Sequence, residues 1–133
     1  MGRLGLGELI QVASGDYTEE GGYSGAQRLL RLDPPPTAIF ASNDLAAVGA
    51  LNAVEEAGLA VPRDVSLVGY DNTALASLRH VSLTTVHQPR RQIGQMAMRA
   101  LLRRIGRTGS RARRVVLEPR LVARDTTGPP PPE

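Results

Sequence analysis

The residues in this sequence best suited to chemistry stand at the ends of short apolar runs. Asn43 and Asp44 follow Thr37 to Ala41, Asp16 and Tyr17 follow Leu9 to Ser14, Tyr70, Asp71 and Asn72 follow Val65 to Val68, and Gln88 follows Leu83 to His87. Apolar runs of this length bounded by turn residues read as buried strands. In a parallel sheet the loops leaving the carboxyl ends of the strands form the edge where a polar ligand is met. A carboxylate there offers four lone-pair sites and suits bidentate contact with a diol, and a tyrosine ring can lie against the apolar face of a ring. Catalysis fits these residues poorly. Ser42, Asp44 and His87 can be drawn as a triad, but Ser42 lacks the glycine-flanked elbow that exposes a nucleophile.

Composition narrows the classes further. The chain has 133 residues, 41% hydrophobic and 22% charged, enough for one domain with a modest core. It contains no cysteine, which removes disulfides, thiol redox chemistry and thiolate metal sites; two histidines are too few for a metal cluster, so no metal and no cofactor are expected. The glycine-rich opening, Gly2 to Gly7, follows no strand and brings no lysine, which argues against a phosphate loop. No run of eighteen apolar residues and no secretory leader pattern is present, so a cytoplasmic location is expected. Every basic residue is arginine. Acids outnumber arginines ten to three from Glu8 to Asp71, whereas Arg79 to Arg114 holds ten arginines and no acid. Without aromatics interleaved to stack bases, a solvated basic face explains this better than nucleic-acid contact.

Strand and helix alternate along the chain. Leu9 to Ser14 reads as a strand and Glu19 to Leu32 as a helix, with acids in its first turn, basic residues near its end and Pro34 to Pro36 breaking it. After the strand Thr37 to Ala41, Asp44 is placed to cap a helix with an apolar stripe of Leu45, Val48, Ala50, Leu51 and Val54, which Gly58 ends. Val65 to Val68 is then a second strand, parallel to the first. Leu83 to His87 is a further strand, and Pro89 opens a helix to about Gly106 whose Ile93, Met96, Ala97, Ala100, Leu101 and Ile105 share one face. Val115 to Val122, interrupted at Pro119, suits an edge strand, and the proline-rich segment 125–133 reads as a disordered tail.

The stretch PTAIFASNDLAAVGALNAVEEAGLAVPRDVSLVGYDN, followed by LTTVHQPRRQIGQMAMRALL and EPRLVARDTTG, resembles the carboxyl-terminal part of the effector-binding domain of bacterial regulators of the lactose and galactose repressor (LacI/GalR) family. The resemblance runs from about Gly15 to Thr127. It implies an α/β fold: a parallel-sheet three-layer sandwich of the periplasmic binding protein-like type I, partial and mainly the second lobe, with residues 1–124 in the sensor domain. It also implies that the first lobe, the strand that opens the second lobe and the helix-turn-helix domain lie outside this sequence. That strand would stand between the counterparts of Leu9 to Ser14 and Thr37 to Ala41, and helix 89–107 would pack on the first lobe.

The resemblance aligns Asp44 with a family aspartate that accepts hydrogen bonds from a small-molecule effector, a sugar or a related compound. Asp16, Tyr17, Asn43 and Gln88 are the other candidate effector contacts, and Asn43 also suits hydrogen bonding to loop backbone. Tyr70, Asp71 and Asn72 match a family signature and read mainly as loop-shaping. Dimer contacts are expected from Val48, Leu51 and Asn52. The implied whole is a homodimeric, non-enzymatic repressor that reaches operator DNA only through another domain. The alternatives are a periplasmic sugar-binding transport receptor of the same fold and a small α/β enzyme.

Overall fold

In a computed structural model the described residues are 7, 10–105 and 114–130. Four strands form one sheet in the order β1 (Ala38–Phe40), β2 (Ser66–Asp71), β3 (Thr84–His87), β4 (Arg120–Val122). β1 and β2 run parallel with Ile39 beside Leu67, β2 and β3 run parallel with Gly69 beside Thr85, and β4 returns antiparallel to β3 at the edge.

Helix α1 (Glu19–Leu30) starts where the Thr18 side chain accepts a hydrogen bond from Gly21 N, and Glu19 and Glu20 in its first turn complement the helix dipole. Helix α2 (Asp44–Glu56) buries a face of small residues, Ala46, Ala47, Gly49, Ala50 and Ala53, together with Leu51 and Val54. Small residues let two helices approach closely. A Cβ on Gly22 of α1 would strike the Ala46 carbonyl, and one on Gly49 of α2 would strike the Glu19 carbonyl. Past the end of α2, Gly58 takes a φ of 76°, a conformation glycine adopts without steric cost. The core lies between α2 and the sheet, where Val54, Leu67 and Leu83 are among the most deeply buried side chains.

Three expectations change. Residues 10–14 join no ladder: a strand exists only through its neighbours, and a cavity of about 250 Å³ lined in part by Val12, Ala13, Ile39 and Phe40 separates this segment from β1. Ile10 and Val12 are consequently exposed. The strand expected over Val115 to Val122 forms only as β4 from Arg120, while helix α3 (Arg90–Ile105) forms as its pattern predicts and buries none of its residues, leaving Met98, Leu101, Leu102 and Ile105 open.

The third change concerns the carboxyl-terminal segment, expected to be a free tail from 125. Thr126 is buried: Leu67 N donates to its carbonyl at 2.7 Å, its hydroxyl donates to Leu67 O at 2.7 Å, and Thr84 N donates to that hydroxyl at 2.8 Å. One hydroxyl thus joins β2 to β3 beside the start of β3. Gly128 N reaches the Ser66 hydroxyl at 3.1 Å, while residues 131–133 lie outside the described residues. Thr126→Val keeps the shape and removes both hydroxyl bonds, stranding the Leu67 carbonyl and the Thr84 amide. We expect a loss of about 1–3 kcal/mol in urea unfolding; an unchanged midpoint would show that the segment does not dock.

Candidate functional site

The loops leaving β1, β2 and β3 meet at one end of the sheet. On the β1 side Tyr17, with a φ of 66° and an exposed ring, presents its carbonyl to Asn43 Nδ2 at 2.9 Å. Asn43 Oδ1 accepts from Ala46 N at 2.7 Å. Asn43, and not Asp44, is therefore the cap of α2. Its side chain is committed at both ends, which also ties α2 to the loop before α1. Asp16 accepts from the Thr18 hydroxyl at 2.5 Å and the Thr18 amide at 3.1 Å, and these bonds hold its carboxyl below the usual range. It is exposed and shapes its own turn.

Asp44 was expected to face an open crevice; the structure seals it instead, at 0% exposure. Its Oδ2 accepts from Thr73 N at 2.6 Å and Thr73 Oγ1 at 2.9 Å, and its Oδ1 accepts from Thr85 Oγ1 at 2.5 Å. Gly69 makes room for it, since a Cβ there would lie 2.7 Å from Oδ1. The carboxylate therefore fastens the start of α2 to β3 and to the loop after β2. That burial has a clear cause: the β2 loop folds back over the strand ends, with Asp71 at a φ of 114° and Asn72 at 54°. Asparagine and aspartate tolerate positive φ better than most side-chain-bearing residues.

Beyond Asp44 the network continues towards the sheet edge. Asn72 N donates to Thr85 Oγ1 at 3.3 Å, Asn72 Oδ1 accepts from Arg124 Nη2 at 2.8 Å, and Asn72 Nδ2 lies 3.2 Å from His87 Nδ1. Arg124 Nη1 also donates to Leu83 O at 2.6 Å. Gln88 Nε2 donates to Asp71 Oδ1 at 3.0 Å, and His87, Gln88, Pro89 and Arg91 line an open hollow of about 630 Å³.

The structure thus gathers Tyr17, Asn43, Asp44 and Gln88 along one end of the sheet. Sequence reasoning missed Thr73, Thr85 and Arg124. Thr85 had a signal, a polar residue inside the strand pattern LTTVH; Arg124 had none beyond following β4. Of the dimer candidates, Leu51 is a correction, because it lies in the hydrophobic core. Val48 packs against that core while partly exposed, and Asn52 is exposed and donates to Glu19 Oε1 at 3.1 Å. Among the described residues no group of three or more potential metal ligands occurs, and no helix is long and apolar enough to cross a membrane.

Comparison with known proteins gives this geometry a family. Residues 2–127 match the periplasmic binding protein-like domain. The chain belongs to that family. Its periplasmic binding protein-like fold is the form that LacI-type regulators carry. It is 43% identical over 113 residues to the HTH-type transcriptional repressor PurR of Proteus mirabilis, an alignment covering 85% of this chain and 33% of that protein. It superposes on a LacI transcriptional regulator from a Rhodococcus species with a TM-score of 0.90 and 40% identity, covering 98% of this chain and 48% of that one. The regulator CelR in complex with cellobiose gives a TM-score of 0.80 at 35% identity, covering 84% of this chain and 34% of that one. A LacI family regulator from Enterococcus faecium with bound ribose gives 0.78 at 33%, covering 88% and 43%. The periplasmic binding protein-like chain spans about a third of the length of the curated relatives it matches.

Proposed function

We propose that this chain is the effector-sensing and dimerisation part of a bacterial DNA-binding transcriptional regulator of the LacI/GalR type. The observation that carries the reading is that three strand ends bring polar side chains to one end of the sheet, Tyr17 and Asn43 on the β1 side, Asp71 and Asn72 at the end of β2, His87 and Gln88 at the end of β3, beside the Asp44 carboxylate that Thr73 and Thr85 hold. Its relatives by sequence are repressors, which favours regulation over a transport receptor and over an enzyme. Structural neighbours that hold cellobiose or ribose support a sugar or a related polar small molecule as effector. Tyr17 offers an exposed ring, Gln88 offers an amide and Asp16 a carboxylate, while Asn43, committed to Tyr17 and Ala46, holds Tyr17 in place. Asp44 enters the contact only when Thr73 leaves it. In the parent protein, effector binding shifts two copies relative to one another and alters the spacing of DNA-reading heads contributed by another domain. The exposed parts of α1 and α2, with Val48 and Asn52, form the dimer contact, and the regulator works in the cytoplasm.

The test is a thermal-shift screen of the full-length protein against ribose, cellobiose, sugar phosphates and purines. A ligand at a hundred times its dissociation constant stabilises by about 2.7 kcal/mol, which moves a domain of this size by several degrees. Gln88→Leu and Tyr17→Ala alter exposed or half-exposed side chains and should reduce the shift. A full response in both variants would remove the site assignment.

A further inference from the structure

Donor and acceptor roles around Asn72 are fixed by one group that has no choice. The Arg124 guanidinium carries five N–H donors and cannot accept, so the Asn72 atom 2.8 Å from Nη2 must be the carbonyl oxygen. The opposite end of the same amide, 3.2 Å from the His87 ring, is then the NH2 group, which can only donate. His87 Nδ1 must therefore accept, and the neutral ring carries its proton on Nε2. No described residue hydrogen-bonds that second nitrogen. The His87 side chain is partly exposed, and no side-chain nitrogen or oxygen among the described residues is buried without a partner. His87 lines the open hollow with Gln88, Pro89 and Arg91.

We infer that His87 is a specificity-determining residue of the effector site, held by the Arg124–Asn72 relay as a fixed Nε2–H donor. The inference rests on the effector-sensing reading above and deepens it by naming the chemistry selected: an oxygen acceptor on the ligand, such as a hydroxyl, carbonyl or phosphoryl oxygen, in preference to a donor. Arg124 and Asn72 act through His87 as positioning residues. The carboxyl-terminal segment carries Arg124 and is itself fastened by Thr126, so its docking sets the polarity of a side chain at the opposite end of β3.

Only two histidines, His80 and His87, occur in the chain, so ring nitrogens can be assigned directly by nitrogen-15 NMR. At about pH 8.5, where histidines are ordinarily neutral, His87 Nδ1 should resonate as the bare nitrogen and Nε2 as the protonated one. Arg124→Met and Asn72→Ala should each give a mixture of tautomers while His80 stays unchanged. A protonated Nδ1 in the wild-type chain, or a tautomer indifferent to both substitutions, overturns the relay. In the full-length protein, the affinity for ribose or ribose 5-phosphate should fall about five- to tenfold in His87→Leu, the worth of one hydrogen bond. It should stay within about twofold in His87→Gln, whose amide NH2 stands in for Nε2–H. Equal losses in both variants, or none in either, overturn the role in binding. If neither probe nor any other compound in the screen shifts the wild-type protein, the proposed function fails, and the nitrogen spectrum still decides the tautomer.

Discussion

Asp44→Ala is expected to destabilise the chain by about 3–5 kcal/mol, measured as the loss of free energy in urea unfolding. The substitution removes the acceptor that Thr73 N finds among the described residues and leaves the Thr73 and Thr85 hydroxyls facing an apolar methyl. A hydrogen bond to a carboxylate is worth about 1.5–3 kcal/mol, and three that share one group do not add in full. Set against a usual native margin of about 5–15 kcal/mol, this is a large share. Asp44→Asn separates charge from geometry. Its Oδ1 can still accept from Thr73, and its amide can donate to Thr85 Oγ1, which already accepts from Asn72 N. The expected cost is nearer 1–2 kcal/mol. A loss below about 1 kcal/mol for alanine would contradict the buried network. Because Asp44→Ala would loosen the strand ends along with any ligand contact, the binding test above uses Tyr17 and Gln88 instead.

The sequence disclosed more of the fold than of the site, for reasons visible in particular residues. Strand, crossover helix and strand between Thr37 and Val68 follow from an apolar run, a small-residue helix and Gly58, all local signals. The choice between Asn43 and Asp44 as cap turns on a single residue of register. Both types cap helices well, and only the distance from Asn43 Oδ1 to Ala46 N decides between them. Once Asn43 holds the cap, the next side chain points to the neighbouring strands, and Asp44 finds Thr73 and Thr85, 29 and 41 residues away in sequence. No local pattern carries such pairings. Thr126 was obscured in the same way, since in the string RDTTGPPPP it looks like the start of a solvated tail until β2 and β3 offer it Leu67 and Thr84. The segment 10–14 failed oppositely: its alternating apolar residues have strand character, but no described neighbour pairs with them.

Gly49→Ala is expected to cost a net of about 2 kcal/mol, whereas Gly94→Ala is expected to be favourable, although both lie inside helices. Alanine is favoured over glycine in a helix interior by about 1 kcal/mol, so propensity alone predicts a gain at both positions. Packing separates them. A Cβ on Gly49 would strike the Glu19 carbonyl and stand 2.8 Å from Tyr23 N, and backbone cannot turn aside as a flexible side chain can. The two helices must part, and Ala46, Ala50 and Ala53 then lose contacts that they are too small to remake; overpacking of this kind costs about 1–3 kcal/mol or more. At Gly94 nothing lies within 4 Å of the added methyl, and α3 is unburied, so the gain should appear as greater helicity by circular dichroism, with the core's unfolding midpoint unmoved. The Gly49 substitution should also reach the site, because the Asn43 to Tyr17 bond spans the same pair of segments and lengthens as α2 moves from α1. A stabilised Gly49→Ala chain would mean that the helices stand further apart than the contact between Gly49 and the Glu19 carbonyl allows, and that Tyr17 is not held beside Asn43.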